Sequence, residues 1–170
     1  TQNEIEQKLK DLFGLERVLW LGSGHLIGDD TDAHIDTVAR FCDEHTIAYV
    51  QCTDRNEVHY VDLKKMEMEL NQLKTIDGQS YRLISLPMAD AVFASDDNRR
   101  LPATYANFLI MNEVVLMPTY QLRQDEEAIN QLQTAFPSKK VIGVDCSALI
   151  LQHGSLHCIT MQFPKGSIHF

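Results

Sequence analysis

Two separated runs in this sequence carry side chains that could do chemistry together. Asp29-Asp30-Thr31-Asp32-Ala33-His34-Ile35-Asp36 gathers four carboxylates and an imidazole, and Gly154-Ser155-Leu156-His157-Cys158 sets a thiol close to a glycine. Carboxylates can hold a planar, fork-shaped cation such as a guanidinium by paired hydrogen bonds. A cysteine thiolate can attack the carbon at the centre of that cation, and neighbouring positive charge favours the thiolate. A histidine titrating near neutrality can protonate leaving ammonia and activate a water. These residue types point to covalent chemistry on a cation, although the residues alone do not establish that runs so far apart meet.

The elements that must position these runs alternate between strand and helix. Residues 3–13 place Ile5, Leu9, Leu12 and Phe13 at helical spacing, with Gly14 as a stop, and residues 17–21 read as a short buried strand. Residues 35–42 and 46–52 read as a strand pair around a polar turn at Asp43-Glu44-His45. His34 and Asp36 would then share one strand face, with Ile35 entering the core. An amphipathic helix is expected over 56–76, a strand over 81–86, and a polar loop able to cover a site over 89–102. A hairpin over 107–118, a helix over 125–135, a strand over 139–145 and a helical turn over 146–151 complete the chain. The order strand, strand, helix, strand therefore occurs twice.

Composition narrows the function. The net charge of −9 argues against a phosphate backbone as partner and suits a cationic substrate. No apolar run is long enough to span a membrane, and no positively charged, apolar leader is present, so neither nucleic acid nor membrane is an expected partner. The four cysteines show neither CxxC pairs nor dense spacing, which favours a reduced cytoplasmic setting over zinc. Cys42, Cys52 and Cys146 lie in apolar runs and read as structural, and the six methionines read as core filler. Arg99 and Arg100 read as solvated loop residues.

Residues 29–36, 107–118 (NFLIMNEVVLMP), 136–146 (FPSKKVIGVDC) and 154–164 (GSLHCITMQFP) resemble, in order and spacing, the second half of an agmatine deiminase. That family is related to bacterial-type peptidylarginine deiminases within the guanidino-group-modifying superfamily. The resemblance runs from about Ile5 to the end. It implies an α/β fold, a β/α-propeller of ββαβ modules, with residues 1–170 as a single domain or half-domain amounting to about half of the complete propeller. The family's first half carries a Trp-x-Arg-Asp-type motif; Trp20, in Leu19-Trp20-Leu21-Gly22, does not match it. The expected partners are thus a cationic guanidine small molecule and a missing N-terminal half, or a self-association that replaces it.

The resemblance also implies roles. Cys158 is the expected nucleophile, against the plainer reading of a lone cysteine as a small buried hydrophobe. His34 is the general acid/base, Asp36 a catalytic carboxylate that also grips the guanidinium, and Asp30 a further substrate contact. Gly154 serves the substrate site through its backbone, where the family often has a run of glycines in place of Gln152-His153-Gly154-Ser155. His157, neighbouring Cys158 on an assumed strand, receives a structural role, and Asp29 and Asp32 are read as solvated or turn-capping. The implied reaction is hydrolysis of agmatine to N-carbamoylputrescine and ammonia through an S-alkyl thiouronium, with no metal or cofactor. The alternatives are peptidylarginine or free-arginine deimination, an amidinotransferase, or a non-catalytic half that serves as an assembly or binding module.

Overall fold

The structure, a computed structural model, describes residues 1–29, 34–163 and 166–167. Helix α1 (Gln2–Phe13) starts at a capping box, in which Thr1 Oγ1 accepts from Glu4 N while the Glu4 carboxylate accepts from the Thr1 backbone. It stops at Gly14, whose φ of 66° is left-handed and whose N–H bonds Lys10 O. The helix buries no residue: Leu12 and Phe13 are 64% and 69% exposed. Its apolar stripe therefore has no cover among the described residues.

Two ββαβ units follow. In the first, β1 (Ala39–Phe41) runs antiparallel to β2 (Thr46–Gln51), and α2 (Tyr60–Gln72) crosses over to β3 (Arg82–Pro87), which lies parallel to β2. In the second, β6 (Leu109–Ile110) runs antiparallel to β7 (Val114–Thr119), and α3 (Asp125–Gln133) crosses over to β8 (Lys140–Asp145), parallel to β7. Parallel neighbours require such a crossover, and covering both sheet faces explains the unbroken burial of residues 46–50. Between the units lies a hairpin of β4 (Val92–Phe93) and β5 (Arg100–Leu101), in the segment expected to be loop. All three sheets are open among the described residues.

One core joins the units. Helix α2 presents Leu63, Met66 and Leu70, while α3 presents Ala128 and Leu132 and packs on β3 as well as on β8. Tyr105, Phe108, Val115 and Met117 are fully enclosed, and the Phe108 and Phe136 rings meet edge to face at 6.1 Å. Met68, Met111 and Met161 are exposed, so core filling describes only some of the methionines. Among the described residues no helix is long and apolar enough to cross a membrane.

Helix α2 is shorter at both ends than its periodicity predicts. Asp54 accepts from Asn56 N in a turn that leaves Val58 outside the helix, and a turn held by Thr75 and Gly78 (φ 82°) follows Leu73. Nor does residues 17–21 form a strand. The backbone donors that follow are taken by side chains of α2 and its cap rather than by a ladder: Gly22 N bonds Glu69 at 2.6 Å, Gly24 N and His25 N bond Asp62 at 3.0 and 2.8 Å, and Ile27 N bonds His59 Nε2 at 2.8 Å. Gly28 then passes so close to β5 that a Cβ would lie 2.5 Å from Arg100 O, at a φ of 99°.

The His59 contact fixes its chemistry. A ring nitrogen that accepts from Ile27 N–H is unprotonated, so Nδ1 carries the hydrogen and donates to Glu57 at 2.6 Å. Burial, assisted by Arg100 and His25, outweighs Glu57 and holds His59 below the ordinary imidazole range. The folded state therefore binds this proton less readily than the unfolded chain. Its contribution to stability is full above about pH 6.5 and disappears as pH falls through the lowered folded value. In urea unfolding, His59→Gln should be less stable than wild type at pH 7.5, and the gap should narrow on acidification to pH 5. An unchanged gap would refute the tautomer assignment.

Candidate active site

Asp36 sits in a single 3₁₀ turn, Ile35–Thr37, immediately before β1. Thr37 closes the turn by donating both N and Oγ1 to His34 O, at 3.1 and 2.7 Å. The expectation of a strand here is corrected. Three residues per turn separate His34 from Asp36 around the axis, so they do not share a face. Ile35 is exposed while Thr37 is buried, although a strand would place both on the core face. His34 is exposed, and its ring makes no hydrogen bond to a described residue. Asp29 is buried beside the turn, with Oδ2 3.4 Å from Thr37 Oγ1, so it is not a solvated acid. Asp30 and Asp32 lie outside the described residues.

Cys158 is exposed in a second 3₁₀ turn, His157–Ile159. The two turns are bridged by Asn107, which is completely buried. Its Nδ2 donates to Asp36 Oδ2 at 3.0 Å and to Asp36 O at 3.2 Å. Its Oδ1 accepts from His157 N at 2.8 Å, and Cys158 N and Sγ lie at 3.4 and 3.5 Å. A side-chain amide has both donors and acceptors, so it can face a carboxylate on one side and N–H groups on the other. Sequence reasoning assigned Asn107 no role; its position at the head of the NFLIMN run was the available signal.

His157 reaches the same carboxylate, with Nδ1 at 2.7 Å from Asp36 Oδ2. Because an ionised carboxylate only accepts, Nδ1 carries the proton. A strand would have turned His157 and Cys158 to opposite sides; the tight turn lets one face Asp36 while the other opens outward. Asp36 Oδ2 is thus taken by two donors, while Oδ1 bonds no described residue. Gly154 acts through close approach: a Cβ there would lie 3.1 Å from Cys158 Cβ and 3.7 Å from Sγ. The left-handed conformation belongs to its neighbour His153, at φ 66°, whose Nδ1 lies 3.3 Å from Gly28 O.

Arg40, on β1, is held over the Phe108 ring at 5.0 Å and donates to Phe108 O. Burial lowers its pKa; Asp36, Cys42 and Cys158 oppose that shift, so its charge lies in the field of the carboxylate and the thiol. Arg40 and Asp36 share a cleft wall with Leu19, Trp20, Ile35 and Phe41, and Cys158 is not part of that lining. The other thiols are harder to ionise: burial pushes Cys42 up to about 12 and raises Cys52 and Cys146. Arg99 pairs with Asp96 and Asp97 and donates to Leu151 O, while Arg100 pairs with Glu57, so neither is a free solvated cation.

The chain is similar to known proteins over nearly its whole length. A Marinomonas sp. protein provisionally named agmatine deiminase is 36% identical over 97% of this chain, which spans 48% of that relative. A P. gingivalis structure provisionally described as an arginine deiminase is 53% identical, with a TM-score of 0.93 over 98% of this chain and 48% of its own. C. jejuni agmatine deiminase, determined with substrate bound, is 41% identical with a TM-score of 0.85, over 92% of this chain and 45% of its own. The chain thus spans about half the length of these relatives. The α/β fold is that of the deiminase structures, and the Porphyromonas-type peptidyl-arginine deiminase family matches residues 1–164. This chain belongs to that family.

Proposed function

We propose that this chain supplies the nucleophile and one guanidinium-binding carboxylate of a deiminase acting on agmatine. The observation that carries the reading is Asn107, bonded at once to Asp36 and to the Cys158 turn, with one Asp36 oxygen left over. A guanidinium held by Asp36 Oδ1 would present its carbon to the Cys158 thiolate. Sulfur attacks the carbon; His34 then delivers a proton to the departing nitrogen, and ammonia leaves an S-alkyl thiouronium. Water deprotonated by His34 attacks the same carbon, the C–S bond breaks, and N-carbamoylputrescine is released. His157 orients Asp36, Asp30 is a further substrate contact, and Gly154 leaves the thiol room.

The reading includes a second half. The two ββαβ units would be modules of a closed β/α-propeller, completed by the remainder of a longer chain or by a second copy. The uncovered apolar stripe of α1 and the exposed Phe41 on edge strand β1 support this. Four free cysteines suit a reduced cytoplasmic setting. The family's description favours peptidylarginine as a second substrate class, whereas relatives named agmatine deiminase favour the small dication.

Ammonia release from agmatine, peptidylarginine and arginine should be followed with the chain alone and with a segment that supplies the missing acidic motif. Release from agmatine in the complemented sample, lost by about 10³-fold or more in Cys158→Ala, is the expected result. A folded complex that releases no ammonia from any guanidine would leave the non-catalytic reading. Asn107→Ala should lower the unfolding free energy of the chain by about 2 kcal/mol, because it strands buried donors and a carboxylate, and should abolish turnover in the complemented sample. Wild-type turnover in that variant would remove the amide from the site.

A further inference from the structure

Beneath the Asn107 bridge and the His157–Asp36 contact, the segments that carry the two turns are tied once more. Tyr120, just after β7, is 5% exposed, and its hydroxyl lies 2.7 Å from Ser155 Oγ, 2.9 Å from Thr104 O and 3.2 Å from Thr104 N. A phenol has one proton. It donates to the Thr104 carbonyl and accepts from Thr104 N–H and from the Ser155 hydroxyl, so every partner is satisfied. Thr104 Oγ1 in turn donates to Thr37 O at 2.6 Å and accepts from Ala106 N at 3.3 Å. Ser155 and Thr104 are each 2% exposed.

The ends of this line matter. Ser155 lies in the segment that leads into Cys158, and Thr37 directly follows Asp36. The phenol is itself anchored: Tyr120 N bonds both Asp125 oxygens at 3.2 Å, and Asp125 also takes the Tyr105 hydroxyl at 2.6 Å. Burial pushes the Tyr120 phenol well above its usual range, so it stays a donor throughout the working pH range. Phenylalanine would fill the same volume without the cost of burying a hydroxyl, and that cost is offset only by the bonds the hydroxyl makes.

We propose that Tyr120 is a positioning residue, whose hydroxyl, through Ser155 on one side and Thr104 on the other, sets the separation between the Cys158 turn and the Asp36 turn. Its catalytic consequence rests on the deiminase reading; its structural consequence does not. Losing the tie lets the Cys158 turn drift relative to Asp36, and a displacement of about 1 Å is enough to slow a covalent step strongly.

The test uses Tyr120→Phe, which keeps the ring, Ser155→Ala, which removes the other hydroxyl, and the double variant. Amide hydrogen exchange on the 170-residue chain should be about tenfold faster over residues 155–160 in each single variant, with α2 unchanged. Tyr120→Phe already removes the bond that Ser155→Ala removes, so the double variant should exchange no faster than Tyr120→Phe alone. In the complemented agmatine assay, kcat should fall about tenfold with KM within about twofold of wild type. Faster exchange in α2 and residues 155–160 together, multiplied effects in the double variant, or an unchanged kcat would each overturn the proposal. If the wild type releases no ammonia, the reading of function fails, and the exchange comparison still decides the tie.

Discussion

The arrangement hangs on one buried amide. Asn107 is the one side chain from outside the two turns, among the described residues, that bonds both Asp36 and the Cys158 turn, beside the direct His157–Asp36 contact. Neither turn has regular structure long enough to fix it: each is a single 3₁₀ turn with a ladder on at most one side. A fully enclosed amide has no water to fall back on, so any separation of the turns leaves its donors and acceptors unpaired. That penalty converts two mobile-looking turns into one frame. Phe108, next in sequence, extends the frame by taking Arg40 on both its carbonyl and its ring.

The approach to Asp36 is rigid for a related reason. Residues 22–27 have no strand partner, yet the N–H groups of Gly22, Gly24, His25 and Ile27 are taken by Glu69, Asp62 and His59 along α2 and its cap. An irregular segment held this way is as specified as a strand, because each donor has one acceptor at one place. Gly28 then slips under β5 where any side chain would collide, and His153 bonds its carbonyl from the Cys158 side. The loop before the acidic run, the β4–β5 hairpin and the thiol-bearing segment are thereby locked to each other.

These facts separate what the sequence could reveal from what it could not. Long periodic elements were legible: α1 ends at Gly14 as expected, the ββαβ order recurs, and β7 and β8 appear close to their expected positions. Periodicity reports burial averaged over several residues, so it handles helices and full strands well. It failed at 17–21, which form no strand and lead into a segment held by side-chain acceptors, and at 34–37, where a single turn replaced a strand. The error at His34 and Asp36 propagated to His157, whose partner depends on a turn three residues long. Cys158, Asp36 and Gly154 were singled out through resemblance, and the fold brings their turns together, while Asn107 has a residue type too common in loops to stand out.

The division of labour at Asp36 suggests how the charge balance of the site works. Oδ2 is committed to His157 and Asn107, and Arg40 is restrained at Phe108 without forming an ion pair to Asp36 among the described residues. An unrestrained arginine would be expected to collapse onto the carboxylate in bidentate fashion and close it to any other cation. Stacked on the ring and bonded to a carbonyl, Arg40 instead leaves Oδ1 open while lending positive potential to the region of Cys158. A fixed cation of this kind favours any negative charge that develops near it and opposes the approach of a second cation, so under the proposed reading it would weigh against substrate binding and in favour of the attacking sulfur. The net charge of −9 offsets the loss at long range by drawing cations toward the surface.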